Sequence, residues 1–301
     1  MNEIDFIGDI HGHADELVEL LEGELGYSLQ HGYYQHPKRK VFFVGDFIDR
    51  GPQIKKVLEI VRPMINNGAA YTTIGNHEYN AICYWTQLQD GTFLRPHTSK
   101  NTGQHERTIS DMGDELSEYV EWFKTLPIWF ENENFRVVHA QWKPEHISYL
   151  KSLDVFDCSN QKFLFKSADK TSKEYEAMEC LLKGEEVDVP DVPFFDKDNN
   201  KRYSYRIKWW LKGNNLECKD SLFEFPKHAK SAPIANSGYK ESEVPVFFGH
   251  YWLKNNKPIL MSKNVCCLDF SVAKSGNLVA YRWNGERILD QANFCYVPAI
   301  S

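Results

Sequence analysis

Apolar residues follow two rhythms along the chain. Four in a row at Val41–Val44 suit a strand buried on both faces, and Ile4–Ile7, Ala70–Ile74 and Phe135–Val138 read as strands as well. Between the first three strands lie stripes at helical spacing. Ala14, Leu17, Val18, Leu21 and Leu25 form one, and Ile54, Val57, Leu58, Val61 and Ile65 form the next. Gly26 is placed to stop the first helix, and Pro63 to kink or shorten the second. Strand, polar tip and helix recur three times, which predicts βαβ units and an α/β layered fold. Leu116, Tyr119, Val120 and Phe123 predict a further helix.

Two stretches break the rhythm. Leu88–Asp114 is polar and reads either as a solvated loop or as a lid. Lys143–Glu243 lacks the strand-tip pattern and reads as a cap, residues 143–243, inserted into a single domain of 301 residues. Its DKDNN run lacks the glycine and terminal glutamate of a calcium loop, so a tight turn between strands is expected. Short strands of antiparallel kind then follow at Val246–Phe248, Val265–Asp269 and Leu278–Trp283.

Composition narrows the function. A 42% hydrophobic chain of this length can bury one large core. A net charge of −7 and a pI near 5.9 offer no field for nucleic acid or an anionic membrane, and no apolar run is long enough to span a bilayer. The N-terminus enters a strand directly, so no signal peptide is expected. Seven scattered cysteines without a CxxC pair point to a reduced, cytoplasmic protein, with Cys266 and Cys267 as buried small hydrophobes.

The polar tips carry the chemistry. They offer Asp9 and His11, then Asp46, Asp49 and Arg50, then Asn76 and His77, then His139, then His250. One histidine after a strand is weak evidence. Five tips presenting only Asp, Asn, His and Arg are hard to explain by packing, because each buried polar group needs a partner. Convergence on metal explains them, and oxygen and imidazole donors without thiolate suit Mn, Fe or Zn.

In order, GDIHGH, GDFIDRG, GNHE, the histidine of VVHA and FFGH resemble the calcineurin-like metallophosphoesterases, in the branch of phosphoprotein phosphatases and symmetrical diadenosine tetraphosphate hydrolases. The likeness covers residues 1–142 and 244–283, and LLKG…WW…FFGHYW is similar to bacterial members. It implies a four-layer sandwich, a central β-sandwich flanked by helices. It also implies two divalent metal ions, manganese first, with Fe, Zn or Mg as alternatives. Asp9, His11 and Asp46 would hold one ion; Asp46 would bridge to a second held by Asn76, His139 and His250. A metal-bridging hydroxide would attack the phosphate, Arg50 would grip it, and His77, held by Asp49, would protonate the leaving oxygen. The implied substrate is a phosphomonoester, including a phosphoprotein as for serine/threonine phosphatases, or alternatively a dinucleoside polyphosphate. A non-catalytic phospho-binding protein would require a lost ligand, and every expected ligand type is present.

Three departures stand out. Trp252 replaces a second C-terminal histidine found in nuclease-like members, and Gln141 replaces the usual glycine after His139 and Ala140. FFGHYW is closer to the dinucleotide hydrolases, whereas GDFIDRG is closer to the protein phosphatases. Arg202 and Arg206, in strand-like alternation with Tyr203 and Tyr205, read first as solvated strand residues and alternatively as a second basic contact.

Overall fold

A computed structural model describes residues 3–195 and 201–300. Its first half runs β1 (Ile4–Ile7), α1 (Ala14–Glu19), β2 (Ser28–Gln30), β3 (Tyr33–Gln35), β4 (Lys40–Phe43), α2 (Ile54–Asn66), β5 (Ala70–Thr72), α3 (Asn76–Trp85), α4 (Ser99–Met112), α5 (Leu116–Phe123), β6 (Trp129–Glu131) and β7 (Arg136–Val138). Then come α6 (Pro144–Lys151), α7 (Gln161–Ala168), α8 (Lys173–Lys183), β8 (Glu186–Asp188), β9 (Phe194–Phe195), β10 (Lys201–Arg202), β11 (Ser204–Arg206), β12 (Gly213–Leu216), α9 (Cys218–Ser221) and β13 (Ile234–Asn236). The chain closes with β14 (Val246–Phe248), β15 (Val265–Cys267), β16 (Asp269–Phe270), β17 (Asn277–Trp283) and β18 (Phe294–Pro298).

Two sheets form the centre. One has the order β16-β17-β1-β4-β5, with β18 on β17; the other has the order β15-β14-β7-β6. Strands β1, β4 and β5 are parallel, as the helical stripes between them require. The sheets pack face to face through Phe6, Phe42, Phe135, Phe247 and Trp283, with the Phe6 and Phe247 rings stacked 3.7 Å apart. Val41 and Phe43 alternate with Phe42 and so meet the helices on the outer face, which explains the unbroken apolar run. Cys266 and Cys267 split in the same way, one between the sheets and one outside. The result is the four-layer α/β sandwich.

The structure corrects several local expectations. Helix α2 runs past Pro63 to Asn66, because a proline in the last turn removes only one late hydrogen bond. Strands β14 and β15 are parallel to each other and to β7, not antiparallel. The long connection between β7 and β14 supplies the crossover that a parallel pair needs. The polar stretch before β4 folds into the β2–β3 hairpin. Leu88–Asp114 is not a loop throughout: residues 99–112 form α4, capped by Thr98, whose side chain accepts from the Asn101 N–H.

Between β7 and β14 the chain divides its packing. Ile147, Leu150, Leu164, Leu181, Trp209 and Trp210 join the main core, whereas Val189, Tyr205, Leu222 and Phe225 belong to a small separate cluster. The expected turn at 196–200 lies outside the described residues; its flanks, β9 and β10, pair antiparallel. Among the described residues, no helix is long and apolar enough to cross a membrane.

Candidate active site

Strands β1, β4, β7 and β14 end on one edge of the sandwich, and each delivers its polar tip there. Gly45, at φ +100°, turns the chain sharply after β4; a side chain at this position would strike the backbone of Gly75. The loops then lock together. The N–H groups of Ile10 and His11 donate to the Asp46 carbonyl at 3.1 and 2.9 Å, and that of Gly51 donates to the His11 carbonyl at 2.9 Å. Asn76 and His77 arrive differently from expectation, as the first two residues of α3 rather than as a strand tip.

Asp46 lies at the centre. Its Oδ2 stands 3.5 Å from His11 Nε2 and 3.4 Å from His139 Nε2, while Oδ1 accepts the His77 backbone N–H at 2.9 Å. His11 donates from Nδ1 to the Ile48 carbonyl at 2.9 Å, and His139 from Nδ1 to the Val44 carbonyl at 2.8 Å, so both rings aim Nε2 inward. Asn76 Oδ1 lies 3.1 Å from His139 Nε2 and 2.7 Å from His250 Nδ1. Among the described residues the donors gather as Asp46–His139–His250 and as His11–Asp46–His77, each within 4.8 Å. Asp9 is in neither group. Its Oδ2 accepts the His250 N–H at 3.0 Å, and its Oδ1 is buried without a partner.

The donor set fits divalent cations. Asp9 Oδ1, His11 Nε2 and His250 Nε2 are buried polar atoms with no hydrogen-bond partner among the described residues, which a protein rarely tolerates unless another group uses them. Charge points the same way. Burial, and then Asp269, push the Asp9 carboxyl well above its usual range. Asp46 is held well below its usual range, because the neighbouring His139 and His77 outweigh the cost of burial. His139 rises to about 10, since Asp46 beside it overcomes burial. Burial, then His77, lower His11 to about 3. A proton on His139 therefore does for Asp46 what a cation would do for the whole cluster.

At the mouth, His77 Nδ1 meets Asp49 Oδ2 at 2.5 Å, and its Nε2 lies 3.3 Å from Arg50 Nη2 and 4.0 Å from Asp46 Oδ2. The exposed Arg50 guanidinium lies 4.1 Å from the centre of the Trp252 ring, and that ring also stacks on His11. Trp252 thus backs the arginine where a ligand would otherwise stand. Gln141 exchanges two 2.8 Å hydrogen bonds with Glu185. Arg206 turns into the cleft beside His250, its buried Nε 3.7 Å from Glu186 Oε1, whereas Arg202 is exposed on β10.

The family model described as calcineurin-like phosphoesterase matches residues 3–199. The chain belongs to this family. Calcineurin-like phosphoesterases are hydrolases of phosphate ester or anhydride bonds, and this one is 33% identical over 149 residues to the asymmetrical bis(5'-nucleosyl)-tetraphosphatase PrpE of Oceanobacillus iheyensis. That match covers 48% of this chain and 58% of the relative, so the chain spans little more than half of that protein. A symmetrical bis(5'-nucleosyl)-tetraphosphatase of Actinobacillus succinogenes is 23% identical across 95% of this chain and 96% of its own. Among solved structures, a protein serine/threonine phosphatase of Saccharomyces cerevisiae, described as similar to human phosphatase PP5, shares the fold. Its TM-score is 0.53 at 15% identity, over 99% of this chain and 80% of that one.

Three features of this phosphoesterase are absent from the motif reading. Glu78 is fully buried and accepts four backbone N–H groups around Asp46. Asp269, just after β15, accepts the Trp252 and Ser271 N–H groups and faces Asp9; its signal was one acid at the end of an apolar strand. Gln104, His105 and Thr108 of α4 reach Asp49, and the spacing of His105, Thr108 and Met112 on one helix face was the available signal.

Proposed function

We propose that this protein is a dinuclear phosphoesterase. Asp9, His11 and Asp46 hold one divalent cation, Asp46, Asn76, His139 and His250 hold the other, and manganese is the native ion. The observation that carries this reading is Asp46, the one carboxylate shared by both donor groups. The bound cations would acidify a water and offset the charge of the phosphoryl oxygens. Arg50 forks onto the phosphate from the mouth of the cleft, held at its back by Trp252. His77, anchored through Nδ1 by Asp49, presents Nε2 to the leaving oxygen and gives it a proton.

A dinucleoside polyphosphate suits the surroundings better than a single phosphomonoester. The cleft, about 670 Å³, has Arg50, Lys100, Arg107, Lys183 and Arg206 on its walls against Glu106. It joins a second hollow of about 460 Å³ through Arg50, Arg206 and Trp252, and that hollow is faced by Phe194, Phe223 and Tyr251. Cations for several phosphates next to aromatic rings for a base favour the nucleotide. Residues 143–243, which bring Lys183, Phe194, Arg206 and Phe223, act as the cap. The intact GDFIDRG run supports phosphoprotein hydrolysis as the second reading. Seven unpaired thiols accord with a cytoplasmic site.

The test is a parallel assay of manganese-loaded protein on diadenosine tetraphosphate, a phosphothreonine peptide and p-nitrophenyl phosphate. The nucleotide should give the highest kcat/KM. A preference for the phosphopeptide would replace the first reading by the second, and no turnover of any of the three with metal bound would end both.

A further inference from the structure

Helix α4 presents two faces to the cleft region. Lys100, Gly103 and Arg107 line the cleft wall, while His105, Thr108 and Met112 point inward and are buried. On this inward side the helix closes on Asp49. Thr108 Oγ1 donates to Asp49 Oδ1 at 2.5 Å and accepts the Asp49 backbone N–H at 3.0 Å, so one hydroxyl pins both backbone and carboxylate. His105 Nδ1 adds a bond to the same oxygen at 3.1 Å. His105 Nε2 is buried with no hydrogen-bond partner among the described residues, and the ring packs in edge-type contact with Tyr84 and Trp85. Among the described residues the His105 ring therefore hydrogen-bonds Asp49 alone, and its N–H must sit on Nδ1 to do so. Gln104 Nε2 lies 3.4 Å from Asp49 Oδ2 and 3.3 Å from His77 Nδ1, and its Oε1 accepts from Arg95 at 2.9 Å.

These contacts leave Asp49 little freedom. Its Oδ1 is taken by α4, so Oδ2 is turned to His77. Its backbone sits at φ +67° and that of Arg50 at φ +70°, conformations that a non-glycine residue keeps only when its surroundings hold it there. A helix that merely filled space would put only apolar side chains on this face; α4 puts a histidine and a threonine there beside Met112.

We propose that α4 is the positioning element of the proton-donating pair. Thr108, His105 and Gln104 fix the Asp49 carboxylate and, through it, the direction of His77 Nε2. The proposal rests on His77 being the general acid. The same helix carries Lys100 and Arg107 on the cleft wall, so a phosphate chain bound there bears directly on the element that aims the acid.

The experiment measures kcat/KM of metal-loaded variants on phenyl phosphate, whose leaving group needs a proton, and on p-nitrophenyl phosphate, whose leaving group hardly does. Thr108→Val should lose about tenfold or more on phenyl phosphate, part of the roughly 10²–10⁴-fold worth of a general acid, with a much smaller loss on p-nitrophenyl phosphate. Thr108→Ser should recover most of it, and bound metal should be unchanged in both. Gln104→Leu, on the half-exposed side of the helix, should shift in the same direction and carries the test if Thr108→Val does not fold. His77→Asn is the internal reference. If it is selective for phenyl phosphate while Thr108→Val and Gln104→Leu lose equally on both substrates, or if Thr108→Ser is no better than Thr108→Val, the positioning role is overturned. If His77→Asn itself loses equally on both, the general-acid reading fails instead.

Discussion

Glu78 offers the sharpest perturbation, because four hydrogen bonds rest on one buried carboxylate. Oε2 accepts the N–H groups of Asp46 and Gly75 at 2.9 and 3.0 Å, and Oε1 those of Phe47 and Ile48 at 2.8 and 3.2 Å. Three of these donors belong to the turn that aims Asp46 and the fourth, Gly75, caps α3, so Glu78 ties the two segments together and holds the shared carboxylate in place without touching substrate. Glu78→Gln keeps the shape but turns one oxygen into an amide nitrogen that faces two N–H groups. Two buried donors then lose their acceptor, at about 1–3 kcal/mol each, or roughly 2–6 kcal/mol together. That is a large share of a typical stability of about 5–15 kcal/mol. Thermal unfolding of the metal-loaded protein should fall by several degrees, at about 2–4 °C per kcal/mol for a chain of this order of size. Elemental analysis should find weaker metal retention as well, since Asp46 moves with its turn. A melting temperature unchanged from wild type, with two metals still bound, would refute the reasoning.

Three further expectations follow from the same geometry. Asp46→Asn should lose at least one metal ion and nearly all turnover while far-UV circular dichroism stays native, because the charge holds cations and not the core; two bound metals at a near-native rate would contradict this. Arg50→Lys should lower kcat/KM by about tenfold or more on diadenosine tetraphosphate, since an ammonium cannot fork onto a phosphate or stack on Trp252; equal kinetics would place phosphate recognition elsewhere. Metal-free protein should release a proton on binding manganese. His139, raised to about 10 from 6.5, is protonated across neutral and mildly alkaline pH and must become neutral to ligate, whereas His11, at about 3, is neutral already. Affinity should then climb with pH until about 10, and the His139–Asp46 contribution to metal-free stability, complete below 6.5, should fade over the same range. Calorimetric heats that do not depend on the buffer's ionisation enthalpy would show that no proton leaves.

The strand tips were legible because a strand buried on both faces is mostly apolar, as in Val41–Val44, and a polar residue soon after it stands out. Helix α4 was not legible for the opposite reason. Its buried positions are His105, Thr108 and Met112, so its inward face has almost no apolar signal, and what it buries against is a carboxylate on another loop. Asp269 hid inside an apolar run for a related reason: its partners are backbone N–H groups that no side-chain pattern announces. Strand direction was unreadable in β14 and β15, since three-residue strands carry no record of it; the connection length did. Helices α7 and α8 lack a strand-tip neighbour, yet their leucines face the main core.

The backbone itself explains why such a site needs a rigid two-sheet support. His11, Asp46, Asp49, Arg50, His250 and Trp252 all have positive φ, between 46° and 74°, although none is a glycine. Each such residue costs on the order of 1–3 kcal/mol and persists only where the surroundings leave no alternative. The turn has a purpose. A residue that followed the strand in extended geometry would keep the alternation of side chains between the two faces, whereas a left-handed residue breaks that alternation and turns the chain at the sheet edge. The sheets are close enough there that Gly249 of one leaves no room for a Cβ, which would lie 1.9 Å from Asp9 Oδ1 of the other. Donors from both sheets therefore meet only because the aromatic layer between them fixes the spacing. The stacked Phe6 and Phe247, each three residues before a donor in Asp9 and His250, thus help set the spacing at which the two tips meet.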